Sequence, residues 1–252
     1  MLKILTKRGA AHELNSEDNY FLYEKGDIIG GAVFDGCSTG KRSHWASETF
    51  KILFEQYKYR YNHFFKDLND RKHIENSAVY FLYTFLEKLE QLSDFLNLDN
   101  LNFLSTIIFF IYNKEQKILY CKFLGDGSLF LKKNDSKNYL ESTIDENNTP
   151  NYISYLMNAD DEVKSESISQ RKTFYEKNVE EFIISTDGID SFRNLNPNYD
   201  YLNIPDAKEY LINNPLFSDK ESELGKKFNL LSKDNWVPQD DLTMIKYISD
   251  EV

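Results

Sequence analysis

Cysteine is nearly absent from this chain. Cys37 and Cys121 are the whole supply in 252 residues, which excludes a disulfide framework and points to a reducing, cytoplasmic setting. Long hydrophobic runs are missing too. No stretch approaches the roughly 20 apolar residues of a membrane span, and Met1-Leu2-Lys3-Ile4-Leu5 turns polar too soon for a signal peptide. Positive charge is in short supply, with 30 Lys and Arg against 41 Asp and Glu for a net charge of −11. Nucleic-acid affinity comes largely from Lys and Arg on phosphates, so this deficit argues against a nucleic-acid partner. A phosphate-bearing substrate has to be drawn by local positive charge, such as bound metal ions.

What is present is apolar and aromatic, 41% and 15% of residues. That suffices for a substantial core, and with no internal repeat or low-complexity linker the expectation is a single domain over 1–252. Residues 1–6, Asn19–Tyr23 and Ile28–Phe34 have strand character, the last two joined as a hairpin across Glu24-Lys25-Gly26-Asp27. After Gly40 the period changes. Trp45, Phe50, Phe54 and Tyr57 mark one amphipathic helix, and Ile74, Phe81, Phe85 and Leu92 a second, fraying into the Asn-rich stretch Asn97–Asn102. These aromatic residues read as core. A β meander follows over Phe103–Tyr112, Lys117–Leu124 and Ser128–Lys132. Residues 133–178 are polar, with a strand expected over Val163–Phe174, a loop around Pro150, and Asp160-Asp161-Glu162 as a solvated loop. A strand over Glu180–Thr186, helices over Asp206–Asn213 and Lys220–Ser232, and a final strand over Leu242–Ile248 complete an α+β order.

The chemistry concentrates where strands end. Val33-Phe34-Asp35-Gly36 and Ser185-Thr186-Asp187-Gly188 both run from an apolar strand into Asp-Gly, and Gly125-Asp126-Gly127 joins two further strands. With Glu17-Asp18 and Asp240, five acidic positions stand where a strand begins, ends or turns. Each alone fits ordinary turn chemistry. The set fits a hard divalent cation, which takes oxygen ligands held rigidly enough for octahedral geometry.

These stretches carry a resemblance. Ser16-Glu17-Asp18, Val33-Phe34-Asp35-Gly36, Gly125-Asp126-Gly127, Ile184-Ser185-Thr186-Asp187-Gly188 and Asp240-Asp241-Leu242-Thr243 resemble, in order, the motifs of the metal-dependent (type-2C) serine/threonine protein phosphatases, especially their divergent bacterial branch. The resemblance implies an α-β-β-α sandwich of two packed antiparallel sheets flanked by helix pairs. It further implies two Mn2+ or Mg2+ ions, with a third and weaker ion at Asp126. By motif, Asp35 bridges both metals, Glu17 and the Gly36 carbonyl serve one, Asp187 and Asp240 the other, and Asp18 holds water behind them. The implied reaction is direct attack of a metal-bridging water on phosphoserine or phosphothreonine of a protein, with a serine/threonine kinase as the paired enzyme. Residues 145–178 match the position of the family's variable flap.

Three positions depart from the pattern. Cys37 stands where many relatives carry a His that protonates the leaving alkoxide, and no general acid is assigned. His44 offers a stand-in but reads first as a partly buried His near a helix start. Glu13 occupies the position of the usual phosphate-binding Arg, leaving Arg8, whose guanidinium suits phosphate, and His12 as phosphate-binding candidates. Ser38-Thr39 replaces the family's second glycine. Cys37 itself reads as a small packing residue, with oxidation beside the site as its functional alternative. Four residues separate Cys37 from Arg42, one short of a cysteine-phosphatase loop, and Arg42 stands where a phosphate loop needs Ser or Thr. His63 and His73 read as surface residues. The competing function classes are a catalytically silent relative acting as a regulatory binding module and a two-metal hydrolase of small phosphoesters.

Overall fold

The computed structural model describes residues 1–12, 14–40, 42–58, 65, 68–134, 136, 138–144, 150–197, 204–213 and 223–249. Glu13, His63 and the first residues of the expected flap, 145–149, lie outside them. In chain order the elements are β1 (Leu2–Lys7), β2 (Asp18–Lys25), β3 (Ile28–Asp35), α1 (Ser43–Tyr57), α2 (Arg71–Leu96), β4 (Ile107–Asn113), β5 (Ile118–Leu124), β6 (Gly127–Lys133) and β7 (Leu140–Ile144). Then come α3 (Asp161–Gln170), β8 (Thr173–Glu176), β9 (Val179–Ser185), β10 (Phe192–Asn194), α4 (Ala207–Asn213), α5 (Glu223–Lys233), β11 (Trp236–Pro238) and β12 (Leu242–Ile248).

Two five-stranded antiparallel sheets result, ordered β1-β12-β9-β6-β7 and β2-β3-β4-β5-β8, with β10 and β11 as a separate ribbon. The strands read as continuous apolar runs because both of their faces are covered. In β4, Ile107, Phe109 and Ile111 face the helices, while Ile108, Phe110 and Tyr112 face the other sheet. In β9, Phe182 and Ile184 join that inter-sheet core and Ile183 turns outward to α4 and α5. The period-2 alternation of a strand is therefore hidden in the sequence. Helices α1, α2 and α3 cover the outer face of the second sheet through Phe50, Phe54, Phe81, Phe85 and Ile168. The α-β-β-α layering matches the expectation. Among the described residues, no helix is long and apolar enough to cross a membrane.

The segment from 133 to 178 differs from the sequence reading. Val163–Phe174 is not one strand: it is most of helix α3, followed by the start of β8. Asp160-Asp161-Glu162 is not a solvated loop but the start of that helix, where Asp161 and Glu162 meet the positive end of its dipole. The helix escapes a periodicity argument because only Lys164 and Ile168 are buried along it. Lys164 buries its stem and pairs with Glu90 at 2.8 Å. Helix α2 does not fray at Asn97. Asn97 adopts a left-handed conformation (φ 52°) that ends the helix, and a 3-10 turn spans Asn100–Phe103. His73 is exposed, as expected.

The register brings chosen strand ends together. Asp18 at the start of β2 pairs with Asp35 at the end of β3. In the other sheet, Met244 of β12 and Ser128 of β6 both pair with Ser185, the last residue of β9. One rim of the sandwich thus gathers the ends of β3 and β9 and the starts of β2, β6 and β12.

Phe54 packs against Phe34, Phe81 and Phe85 with ring centroids 5.1, 5.2 and 5.1 Å away, and is fully buried. Replacing it with Ala should cost about 3–5 kcal/mol, read as a lowered urea midpoint with an unchanged slope.

Candidate functional site

Asp35 is fixed by its backbone. Its N–H donates to the Thr106 hydroxyl at 3.3 Å and its carbonyl accepts from Thr106 N–H at 2.8 Å. Gly36 N–H then donates to the Glu17 carbonyl at 3.0 Å. A Cβ on Gly36 would lie 2.3 Å from the Ser43 carbonyl oxygen, and one on Gly188 would lie 1.8 Å from that of Asp241. Neither glycine has positive φ. Each Asp-Gly pair therefore exists because a second backbone crosses flush behind the aspartate, not because the turn needs a left-handed residue. Gly125 and Gly127, with φ +110° and +139°, do need glycine, and they hold Asp126 between them.

On the facing sheet, Asp187 opens a 3-10 turn over Asp187–Asp190. The Thr186 hydroxyl before it donates to Asp18 Oδ2 at 2.7 Å and accepts from Thr243 N–H at 3.0 Å, tying the two sheets together at the rim. Asp240 is set by Ser191, whose hydroxyl accepts from Asp240 N–H at 3.0 Å.

The fold thus places Asp18, Asp35, Asp126, Asp187 and Asp240 within electrostatic reach of one another. Burial pushes the Asp35 carboxyl well up, and Asp18, Asp187, Asp240 and Asp126 push it further. Asp18 is raised likewise, first by burial and then by Asp241 and Asp187, against a lowering bond from Thr186. Asp187 is pushed up to about 6 by burial and by Asp240 and Asp126. Contact with Asp35 partly offsets the rise at both Asp18 and Asp187. In that arrangement no three His, Cys, Asp or Glu side chains among the described residues form a ready coordination shell. The donor set still fits a hard cation: Glu17 Oε2, Asp18 Oδ1 and Asp187 Oδ1 are buried oxygens with no hydrogen-bond partner.

Asp241, which the sequence offered only as the neighbour of Asp240, organises the other half of the rim. Its side chain is 1% exposed. It accepts from Gly9 N–H at 2.6 Å and from Glu17 N–H, and lies 2.8 Å from His12 Nδ1. His12 Nε2 then faces Asp240 at 3.5 Å and Glu17 at 4.0 Å. Burial pulls the His12 pKa down, but the bond to Asp241 and the surrounding carboxylates outweigh it and leave it raised. The Ser43 hydroxyl binds the far side of Glu17. In the sequence Asp241 appears only inside the motif Asp240-Asp241-Leu242-Thr243, and nothing local signals its contacts with Gly9, His12 and Glu17.

Of the phosphate-binding candidates, His12 sits among the carboxylates. Arg8 is exposed and donates to the Leu14 carbonyl at 3.2 Å. His44 is exposed on the first turn of α1 rather than partly buried. Cys37 is half-buried, its thiol 2.9 Å from the Thr39 hydroxyl and in hydrogen-bond contact with Tyr152. A cavity of about 600 Å³ opens beside Asp126, Asp187 and Asp240.

The profile of protein phosphatase 2C matches residues 8–211. The chain belongs to the protein phosphatase 2C family. No curated protein sequence matches it. Among solved structures, it is similar to RsbX in complex with magnesium, with 16% identity, a TM-score of 0.55 and coverage of 97% of this chain and 92% of that one. It is similar to a bacterial serine phosphatase at 14% identity and a TM-score of 0.61, over 100% and 99% of the two chains. The serine/threonine phosphatase Stp1 from Staphylococcus aureus gives 12% identity and a TM-score of 0.61, over 100% and 95%. At these identities the likeness establishes the fold.

Because the Asp187 pKa is raised from its ordinary value of 3.8 to about 6, the folded protein holds an extra proton there between those values. That contribution to stability is full below about pH 4 and is lost as pH rises through 6. In EDTA, the melting temperature of Asp187→Asn should therefore gain on that of the wild type as pH goes from 4 to 7. A pH-independent difference between the two would show that Asp187 does not titrate in this window.

Proposed function

We propose that this chain is a divalent-metal-dependent protein phosphatase acting on phosphoserine and phosphothreonine, built as one domain over residues 1–252. The observation that carries the reading is the gathering of strand-end carboxylates from both sheets on one rim, with buried oxygens left unpartnered. Nothing in a folded core would assemble such repulsion for stability alone. The ligands would be Asp35, Asp187, Asp240, Glu17 and the Gly36 carbonyl, with Asp126 toward a third ion. Mn2+ or Mg2+ bound there supplies Lewis-acid polarisation of a phosphoryl oxygen and acidifies a water for in-line attack.

The chain's own residues do the positioning. Thr186 fixes the orientation of Asp18 by its hydrogen bond to Oδ2, which leaves Oδ1 buried without a hydrogen-bond partner. Asp241 fixes His12 through Nδ1 and leaves Nε2 toward the rim, the placement expected of a phosphate contact. We favour His12 over Arg8 on that placement. Ser43 orients Glu17. Water attacks phosphorus directly, and no enzyme nucleophile is required. Support for a phosphoprotein substrate comes from the family and from the neighbours named as serine or serine/threonine phosphatases. A serine/threonine kinase is the partner enzyme this implies, and the flap candidate is the described segment 150–178.

Purified protein should hydrolyse p-nitrophenyl phosphate and phosphoserine peptides with Mn2+ or Mg2+, and lose that turnover in EDTA. Asp35→Asn and Asp187→Asn should fall on the order of 10²-fold or more. Absence of metal-dependent turnover in the wild type would leave the regulatory-module reading, and preference for nucleotides over phosphopeptides the small-phosphoester reading.

A further inference from the structure

The cavity of about 600 Å³ beside the rim has two unlike walls. Its inner wall is Asp126, Asp187 and Asp240, the carboxylates already assigned to ions. Its outer wall is Glu141 and Thr143 from β7, Asp190 from the turn after β9, and Lys208 from α4. Lys208 is the one cation among the described lining residues. Its ammonium lies 2.5 Å from Glu141 Oε1 and 2.6 Å from Asp190 Oδ1, over the Phe130 ring at 5.5 Å. Glu141 is braced from behind: it accepts from the Thr143 hydroxyl at 2.8 Å, and Thr143 is bonded in turn to the Ser128 hydroxyl at 3.0 Å.

The outer wall therefore carries two carboxylates against one ammonium. Both carboxylate side chains are 44% exposed to the cavity and solvent, while Lys208 is 23% exposed. A carboxylate offers about four acceptor positions. Among the described residues, Glu141 Oε2 and Asp190 Oδ2 accept no hydrogen bond from the protein. Two carboxylates against one ammonium leave the outer wall with a residual negative charge beside the rim carboxylates.

We propose that this cavity is the subsite for a basic residue, arginine above lysine, close to the phosphoserine or phosphothreonine of the substrate. The proposal rests on the phosphatase reading of the rim. A guanidinium can take the outer oxygens of Glu141 and Asp190 together through its planar fork, which an ammonium cannot match. Lys208 bridges the two carboxylates and limits how strongly the site attracts. Substrates would then be proteins phosphorylated at basic sequences.

The test uses the full chain with Mn2+ and one phosphoserine peptide carrying Arg, Ala or Glu at the positions flanking the phosphoserine, with p-nitrophenyl phosphate, which is too small to span both walls, in parallel. The wild type should favour the Arg peptide over the Ala peptide by about tenfold in kcat/KM, with the Glu peptide lowest, and the advantage should shrink as salt rises. Glu141→Gln, nearly the same in shape, should remove about 3–10-fold of that advantage through KM. Its kcat and its turnover of p-nitrophenyl phosphate should remain those of the wild type. Lys208→Gln, checked for an unchanged melting temperature, should increase the Arg advantage. Equal rates on the three peptides, or preference for the Glu peptide, with p-nitrophenyl phosphate still turned over, would overturn the subsite and leave the phosphatase reading standing. No turnover of any substrate overturns both.

Discussion

The structure depends on one unfavourable interaction, the mutual repulsion of Asp18, Asp35 and Asp187 at the rim where two sheets meet. Burial is the first cause raising all three carboxyls; Asp18 and Asp187 then raise Asp35, Asp187 raises Asp18, and Asp240 and Asp126 raise Asp187. A group in that state destabilises the folded chain whenever it is charged. It persists because its backbone is over-determined: Thr106 on both sides of Asp35, the flush crossings behind Gly36 and Gly188, and the Thr186 bond between sheets. The aromatic core under α1 and α2 and the inter-sheet core supply the stability that such a rim consumes.

The same protein handles buried charge differently elsewhere. On the outer face of the first sheet, Glu223 sits among Lys3 at 2.7 Å, Lys227 at 2.8 Å and Lys246 at 3.6 Å. Burial pushes the Glu223 carboxyl up, but the hydrogen bonds from Lys227 and Lys3 outweigh it and hold the pKa at about 2. There, charge is matched by charge inside the chain. At the rim, the charged groups that raise Asp35 are other acids. That contrast separates a structural ion cluster from a site.

Asp241 links the rim to its surroundings. One buried carboxylate fixes the loop after β1 through Gly9, the start of β2 through Glu17, and the ring of His12. Gly9, His12 and Glu17, one stretch near the start of the chain, thus share a single anchor from its far end. The cavity on the other flank is lined by a second arrangement of charge, Lys208 braced between Glu141 and Asp190.

The sequence by itself determined the parts whose cause is local. Apolar runs ending in Asp-Gly located Asp35 and Asp187, amphipathic spacing located α1 and α2, and the ordered motifs were enough to expect the sandwich and its carboxylates. It misjudged α3, because a helix that buries little more than Lys164 and Ile168 has almost no apolar period to read. Only the tertiary structure decided the rest: that Gly36 and Gly188 are glycines because another backbone passes behind them, that His12 rather than Arg8 stands among the acids, and that Asp241 holds the loops together. Each is a contact made outside the residue's own element, and those of Asp241 join opposite ends of the chain. Local spacing carries information about which face a residue takes within its own element, but none about which distant backbone or charge will be brought against it.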